Sequence, residues 1–392
     1  MKIAIVNNFF YPRVGGSSII AEQLANGFTK KGHEVMVITA SYGGAPEMEL
    51  MNGFIIRRVR AWTLPKSRLS LNFDINFALI PGNSRQVSQI LHEFQPDVIH
   101  CHGQFLDLTW KALKFGKKNS IPCILTLHTR LVNPNFFLNL LLKSLDRAVV
   151  FPILKRFPPQ RVVIIDKEFS KYVIERYPLS QKSFSYISVG IELEKFIGLE
   201  YVPMISKSER IVILSVGHVI PVRNRVTLFE ALPSIINLFP KVHVRVIGSV
   251  YHDECIKIAE KLSLLDHISF VGAIPSSQVS KELEVATLEI HDVQGFGVGI
   301  ASLEAMAAGV PTVMAVDTEY FPHANLIPDS HFIQSEPNDP ISLSNAVLKA
   351  LCDRNLLERV SVRAREYVKN NFDIKVVVDA HLDLFHETLE SK

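Results

Sequence analysis

Cysteine is scarce and scattered: Cys101, Cys123, Cys255 and Cys352 show no pair at metal-ligand spacing. They read as buried small hydrophobes in a reducing compartment. Neither sign of charge is in excess, with 42 basic against 39 acidic residues and a net charge of +3, so nothing global points to nucleic acid. No low-complexity segment argues for disorder. No apolar run reaches the length of a membrane span; the nearest, from Leu131 to Leu154, is interrupted by Lys143, Asp146 and Arg147. The opening apolar run, Ile3 to Val6, is broken at once by Asn7 and Asn8, unlike a signal peptide. The expectation is a cytoplasmic chain, soluble or peripheral on the inner face of the cell membrane.

What is present is apolar content of 47% in 392 residues, enough for two domains of ordinary size. Residues 2–7 read as a buried parallel strand. Gly15 and Gly16 follow, then Ser17 as a candidate helix N-cap. Ile20, Leu24 and Phe28 form the stripe of a helix that ends at Gly32, and 34–39 is the next strand. That is a βαβ unit with Gly15-Gly16 at the carboxyl end of its first strand, where open α/β sheets bind ligands. Strands at 54–59, 97–100, 123–127, 161–165 and 184–188 and helices at 87–94 and 108–115 continue the pattern. An aperiodic stretch, 197–209, reads as a linker. Beyond it strands are expected at 211–216, 242–247, 268–271, 286–291 and 311–315. Helices are expected at 227–238, 254–264, 277–283, 300–308, 340–352, 355–369 and 374–389. Strand–helix alternation of this kind implies two doubly wound parallel-sheet, Rossmann-like domains in tandem.

Three features carry candidate chemistry. From His291 to Pro311 a strand end passes through Gly295, Gly297 and Gly299 into a helix, with Glu304 one turn inside. Glycines there let backbone approach a ligand, and the helix N-terminus offers free N–H groups to an anion. Next, His100, His102 and His128 lie near strand ends. Without fixed ligand spacing or a second-shell carboxylate, contact with a polar ligand is the better reading than a metal. Finally, 131–156 is rich in Phe and Leu and edged by Lys143, Arg147, Lys155 and Arg156. It reads first as core-facing helices of a large domain. The other reading is a segment resting on a membrane surface, an idea that Arg57, Arg58 and Arg60 reinforce.

Motifs spread over nearly the whole length resemble one family. They are Gly15-Gly16, the run from Gly32 to Val35, PDVIHCH (Pro96 to His102), TLHT (Thr126 to Thr129) and SVGIELEKF (Ser188 to Phe196). In the second half stand SVGHVIPVRNRVTLFEAL (Ser215 to Leu232), ISFVG (Ile268 to Gly272) and EAMAAGVP after Leu303. In order and spacing these resemble a GT-B glycosyltransferase of the family-four type, the retaining group that uses nucleotide-diphosphate sugars. The resemblance implies an acceptor-binding Rossmann-like domain at 1–200, with helix 373–392 packing back on it. It implies a donor-binding domain at 201–372, the two facing across a cleft. Glu304 then corresponds to the glutamate that holds the donor's ribose hydroxyls, where a carboxylate makes the stronger, charge-assisted bonds. Arg223 falls where the family carries a phosphate-binding lysine, His128 matches a histidine that contacts the transferred sugar, and Gly16 would approach the diphosphate or sugar.

The resemblance also implies a donor loop that includes Gly297 and Gly299, a glycan or lipid-linked acceptor, no metal and no cofactor beyond the nucleotide-sugar substrate. Three positions depart from the family pattern. Phe296 stands where a first glutamate grips sugar hydroxyls, and Asp292 is a candidate substitute. His218 replaces a phosphate-binding arginine, making a permanent cation conditional on pH. Asn224 replaces a glycine, with Arg225 beside it as a candidate source of charge. The expected activity is therefore hexosyl transfer, and the competing expectation is a weakly active or non-catalytic relative that binds a sugar nucleotide.

Overall fold

The computed structural model describes all residues except 14, 65–74, 133–135, 202–209, 292–294, 296 and 392. Two compact units divide the chain, one formed by residues 1–190 with 374–392 and the other by residues 191–373.

The strands of the first unit are β1 (Lys2–Val6), β2 (Glu34–Ala40), β3 (Met48–Met51), β4 (Phe54–Val59), β5 (Trp62–Leu64), β6 (Ile75–Phe77), β7 (Val98–His102), β8 (Cys123–Thr126), β9 (Arg161–Ile164) and β10 (Phe184–Tyr186). Eight of them form one sheet in the order β10-β9-β8-β7-β1-β2-β4-β3, and β5 pairs with β6 apart from it. All neighbours in the large sheet are parallel except β3 and β4. That hairpin turns through Asn52 (φ 48°) and Gly53 (φ 91°). Two positive φ values in a two-residue loop make a turn whose twist matches the strands.

Its helices are α1 (Gly16–Lys30), α2 (Asn83–Phe94), α3 (Asp107–Asn119), α4 (Phe136–Leu145), α5 (Phe151–Arg156) and α6 (Lys167–Arg176). A π-helical turn, Asp146–Val150, joins α4 to α5. Helix α1 starts one residue before the expected Ser17 cap. The Ser18 hydroxyl instead accepts the Gly15 N–H at 2.7 Å, because Gly15 is the last extended residue. Ala21, Leu24, Ala25 and Phe28 form its buried face.

The second unit carries β11 (Ile211–Val216), β12 (Val242–Ile247), β13 (Ile268–Gly272), β14 (Leu288–His291), β15 (Thr312–Met314) and β16 (Ile333–Gln334). Their order, β13-β12-β11-β14-β15-β16, is that of a doubly wound sheet whose direction of winding reverses between β11 and β14. The helices are α7 (Arg225–Leu238), α8 (Glu254–Lys261), α9 (Ser276–Glu284), α10 (Ile300–Ala308), α11 (Pro340–Cys352) and α12 (Arg354–Phe372). The last helix, α13 (Ile374–Glu390), belongs to the first unit. It lies close on α1: a Cβ on Gly27 would come within 2.3 Å of the Val378 side chain.

Three expectations are corrected. Cys352 is exposed while the other three cysteines are buried, since it closes α11 on the solvent side. Arg58 is not a surface cation. Its guanidinium is buried, donates to the Pro46 and Tyr11 carbonyls at 2.9 Å each, and pairs with Glu49 at 2.7 Å. The third concerns α4, where core packing was the first expectation: none of its ten residues is buried. Phe136 and Phe137 are 73% and 77% exposed, and Leu140, Leu141 and Leu145 stand on the same open surface.

Candidate functional site

Because β11 and β14 are neighbours, the loops at their carboxyl ends share the point where the sheet's winding reverses. Ligands of open α/β sheets bind at such points. The β11 loop opens at Gly217, whose φ of +135° suits glycine, and runs to Arg223. The β14 loop ends at Gly299, the N-cap of α10. Arg223 Nη1 lies 3.1 Å from His291 Nδ1. A Cβ on Gly217 would sit 3.2 Å from Arg223 Nε, and one on Gly299 would sit 3.2 Å from Arg223 Nη1 and 2.5 Å from His291 Cε1. Both glycines are therefore the spaces into which the guanidinium fits. A permanent cation is held at the mouth of a helix N-terminus, two features that each favour an anion.

His291 was missed as a functional residue in the sequence, where it marked only a strand end. It is buried, and its pKa is held well below the ordinary histidine value by burial first, then by Arg223 and Arg225. The neutral ring accepts from Arg223 and orients it. The signal that would have found it is a polar side chain closing a buried strand against a glycine loop.

Glu304 lies one turn into α10 and is half-buried. Among the described residues no hydrogen bond or ion pair engages its carboxylate. Burial raises its pKa above the ordinary value, Lys195 opposes that shift, and Glu192 adds to it. Lys195 itself pairs with Glu192, and both belong to the SVGIELEKF segment, whose short 3-10 turn spans Leu193–Phe196. That motif and EAMAAGVP, distant in sequence, thus meet around one carboxylate. Gly297 is buried, its N–H bonded to the Ala315 carbonyl at 3.1 Å.

His218 is exposed beside this loop. Its Nδ1 accepts the Ser249 N–H at 3.2 Å, which leaves the proton of a neutral ring on Nε2. Tyr251 meets its ring edge-on at 5.3 Å. Asn224 needs no unusual backbone: its φ is −74°. Its amide donates to Thr227 at 2.6 Å and Asn338 at 2.7 Å. Arg225 is buried and donates to the Gly217 carbonyl at 2.9 Å. It braces the loop from beneath rather than serving as a ligand-facing cation. Phe296 and Asp292 lie outside the described residues.

In the first unit, Gly15 and Gly16 follow β1 at the carboxyl edge of the sheet. Neither is demanded by the fold: Gly15 is extended with φ −171°. Among the described residues, a Cβ on Gly16 would meet nothing within 4 Å, and one on Gly15 only Ser18 Oγ, at 4.0 Å. At the ends of β7 and β8, His102 Nδ1 and His128 Nε2 are 2.7 Å apart. The two rings are parallel to within 5°. His100, two residues back on the same face of β7, bonds Thr126 Oγ1 at 2.7 Å. Burial lowers the pKa of all three rings, that of His128 to about 4. Strand β7 runs through His102, which pairs with Thr126 of β8. Among the described residues no group of three metal-ligating side chains is present.

The exposed helix α4 is fixed at its C-terminal end. Asp146, buried in the π-helical turn, accepts from the Tyr177 hydroxyl at 2.8 Å and the Tyr172 hydroxyl at 3.3 Å, with Arg176 at 3.4 Å. Val150 and Leu154 add buried anchors. Lys143, Arg147, Lys155 and Arg156, on α4 and the segment that follows it, are all exposed. No helix among the described residues is long and apolar enough to cross a membrane.

With this geometry in view, comparison with known proteins identifies the chain. Residues 14–195 match the family described as Glycosyltransferase Family 4, and residues 204–367 match Glycosyl transferases group 1. The chain belongs to the family-four type of GT-B glycosyltransferases. Among its relatives, a phosphatidylinositol N-acetylglucosaminyltransferase subunit from Arabidopsis thaliana is 23% identical, over 90% of this chain and 74% of that protein. Phosphatidyl-myo-inositol mannosyltransferase from Mycolicibacterium smegmatis is 24% identical, over 99% of this chain and 94% of its own length. Anabaena HepE, solved with UDP and glucose, shares the fold with a TM-score of 0.74 at 17% identity, covering all of both chains.

Proposed function

We propose that this protein is a retaining hexosyltransferase that takes its sugar from a nucleotide-diphosphate donor. The observation that carries this reading is Arg223. It is held by His291, Gly217 and Gly299 at the entry to α10, one turn from the half-buried Glu304. Arg223 neutralises the departing diphosphate without a metal, and the α10 N-terminus adds free N–H groups. Glu304 accepts the two ribose hydroxyls. His218 offers Nε2–H to a phosphate oxygen, and Gly297 and Gly299 keep the loop close to the donor. HepE, a protein of the same fold, was solved with UDP.

The first unit supplies the transferred sugar and the acceptor with Gly15, Gly16 and His128. The two glycines leave room that the described residues do not fill, which fits close approach of a ligand to backbone. In the transfer, the bond from the sugar's anomeric carbon to the diphosphate oxygen breaks. The bond to the acceptor oxygen forms on the same face, and the acceptor's proton passes to the leaving phosphate. Water must be kept out of this step, or the donor hydrolyses.

The acceptor is lipid-linked. Two relatives carry names that specify phosphatidylinositol acceptors. Helix α4 presents Phe136, Phe137, Leu140 and Leu141 to the outside, and Lys143, Arg147, Lys155 and Arg156, on α4 and the segment that follows it, are exposed as well. An exposed apolar face accompanied by exposed cations is the chemistry that rests on an anionic bilayer. The protein would then work as a peripheral protein on the cytoplasmic leaflet.

The test is donor binding. A thermal-shift screen with UDP-glucose, UDP-N-acetylglucosamine and GDP-mannose identifies the stabilising donor. Glu304→Ala then weakens it by about tenfold to a hundredfold, the loss expected for charge-assisted hydrogen bonds to a carboxylate. Full affinity in that variant would refute the ribose assignment. Stabilisation by a donor without transfer to any lipid acceptor would favour a binding protein instead.

A further inference from the structure

The pair His102 and His128 holds information that neither residue carries alone. His102 is fully buried on β7, and His128 lies two residues past the end of β8, on the loop side. Their Nδ1 and Nε2 atoms are 2.7 Å apart. At that distance one nitrogen must donate and the other accept. Of the remaining nitrogens, His102 Nε2 and His128 Nδ1, neither has a partner among the described residues. One of them must carry an N–H and the other a bare lone pair. An N–H left without an acceptor is costly, and the cost is lowest where an acceptor can arrive. His102 Nε2 is deep in the unit, with His100 packed on its ring at 4.3 Å. His128 is the less enclosed of the two, half-buried beyond the strand end, although its Nδ1 is itself covered in the structure.

We infer that His102 is a positioning residue: it donates Nδ1–H to His128 Nε2 and thereby fixes His128 as a donor, through Nδ1–H, to an oxygen of the bound sugar or acceptor. The inference rests on the proposed role of His128 at the transferred sugar. The hydrogen bond also fixes the plane of the His128 ring, so the donor direction is set before the ligand arrives. A histidine presenting a lone pair there would select a hydroxyl proton instead. The polarity of this position, donor rather than acceptor, is therefore decided by a residue that does not touch the ligand.

The direct test needs no substrate. Two-bond ¹⁵N–¹H correlation spectra of the full chain, labelled at histidine, report which ring nitrogen is protonated. The expected result is Nδ1–H for both His102 and His128, assigned by single His→Gln variants; Nε2–H on either ring overturns the inference. The functional test compares His102→Leu, which keeps bulk but removes the donor, with His102→Asn, which retains one. Binding of the nucleotide sugar that stabilises the wild-type chain is measured against binding of its nucleoside diphosphate alone. In His102→Leu the sugar's share of affinity falls about five- to tenfold, the nucleoside diphosphate binds unchanged, and His102→Asn recovers part of the loss. An unchanged ratio in His102→Leu refutes the positioning role. If no nucleotide sugar binds the wild-type chain, the proposed function fails while the tautomer measurement still decides how His128 is held.

Discussion

Two helices of nearly equal length and equally apolar composition meet opposite fates in this protein. Helix α10 has nine residues, six of them buried, and closes the candidate site of the second unit. Helix α4 has ten, none buried. Apolar character is alike; neighbours are not. Helix α10 enters from a glycine loop between two buried strands, so its sides are covered by β14, β15 and α12. Helix α4 has no buried residue of its own and is fixed by the turn that follows it. Apolar content therefore says that a surface will be covered, without saying whether the cover is the protein itself.

The comparison breaks most sharply under truncation. Leu303→Ala on α10 should destabilise the chain by about 2–4 kcal/mol, while Leu141→Ala on α4 should stay within about 0.5 kcal/mol. Denaturant melts of the two variants measure this, and equal losses would mean that α4 is covered in solution. A smaller effect tests what covers α4. The double change Phe136→Ser and Phe137→Ser should lower partitioning onto phosphatidylglycerol vesicles by at least about tenfold. Its Tm should move by no more than about 1 °C. Flotation reads the outcome, and wild-type protein that fails to float would remove the membrane from the proposal.

The smallest effect concerns what α10 gives up for function. Burial raises the Glu304 pKa, so the folded chain holds that proton more tightly than the unfolded chain. The penalty is absent in acid, grows as pH rises through the ordinary carboxyl range toward the raised folded value, and is complete above it. Glu304→Gln should therefore raise Tm by about 1–2 °C at pH 7 and by nothing near pH 4. A Tm gain of equal size at both pH values would show that the carboxylate's charge is not its cause.

Much of the second unit was legible in the sequence. The bounds of β11, β12, α10 and α11 coincide with those expected. Strands buried on both faces read as unbroken apolar runs, and Asp339-Pro340 marks a helix start that the structure caps from the Asp339 carboxylate. In the first unit, β3 escaped notice although Asn52-Gly53 announces a hairpin, and α6 escaped although Asp166 caps it by accepting from Phe169 N–H at 2.8 Å. The site divides the same way. Gly299, Glu304 and Arg223 stood out by motif, whereas His291 acquires meaning only when β14 lies beside β11. The direction of Arg225, inward to the Gly217 carbonyl, was likewise invisible until the loop had a shape.

The Asp146 clasp has one more consequence. The groups that hold it, Tyr172, Arg176 and Tyr177, lie on or next to α6, beyond a further strand. The mount of α4 and the face of α4 are thus encoded in different parts of the chain. Residues 136–145 are free to drift in size and polarity, retuning the surface they meet, while the place where that surface is presented stays under separate inheritance.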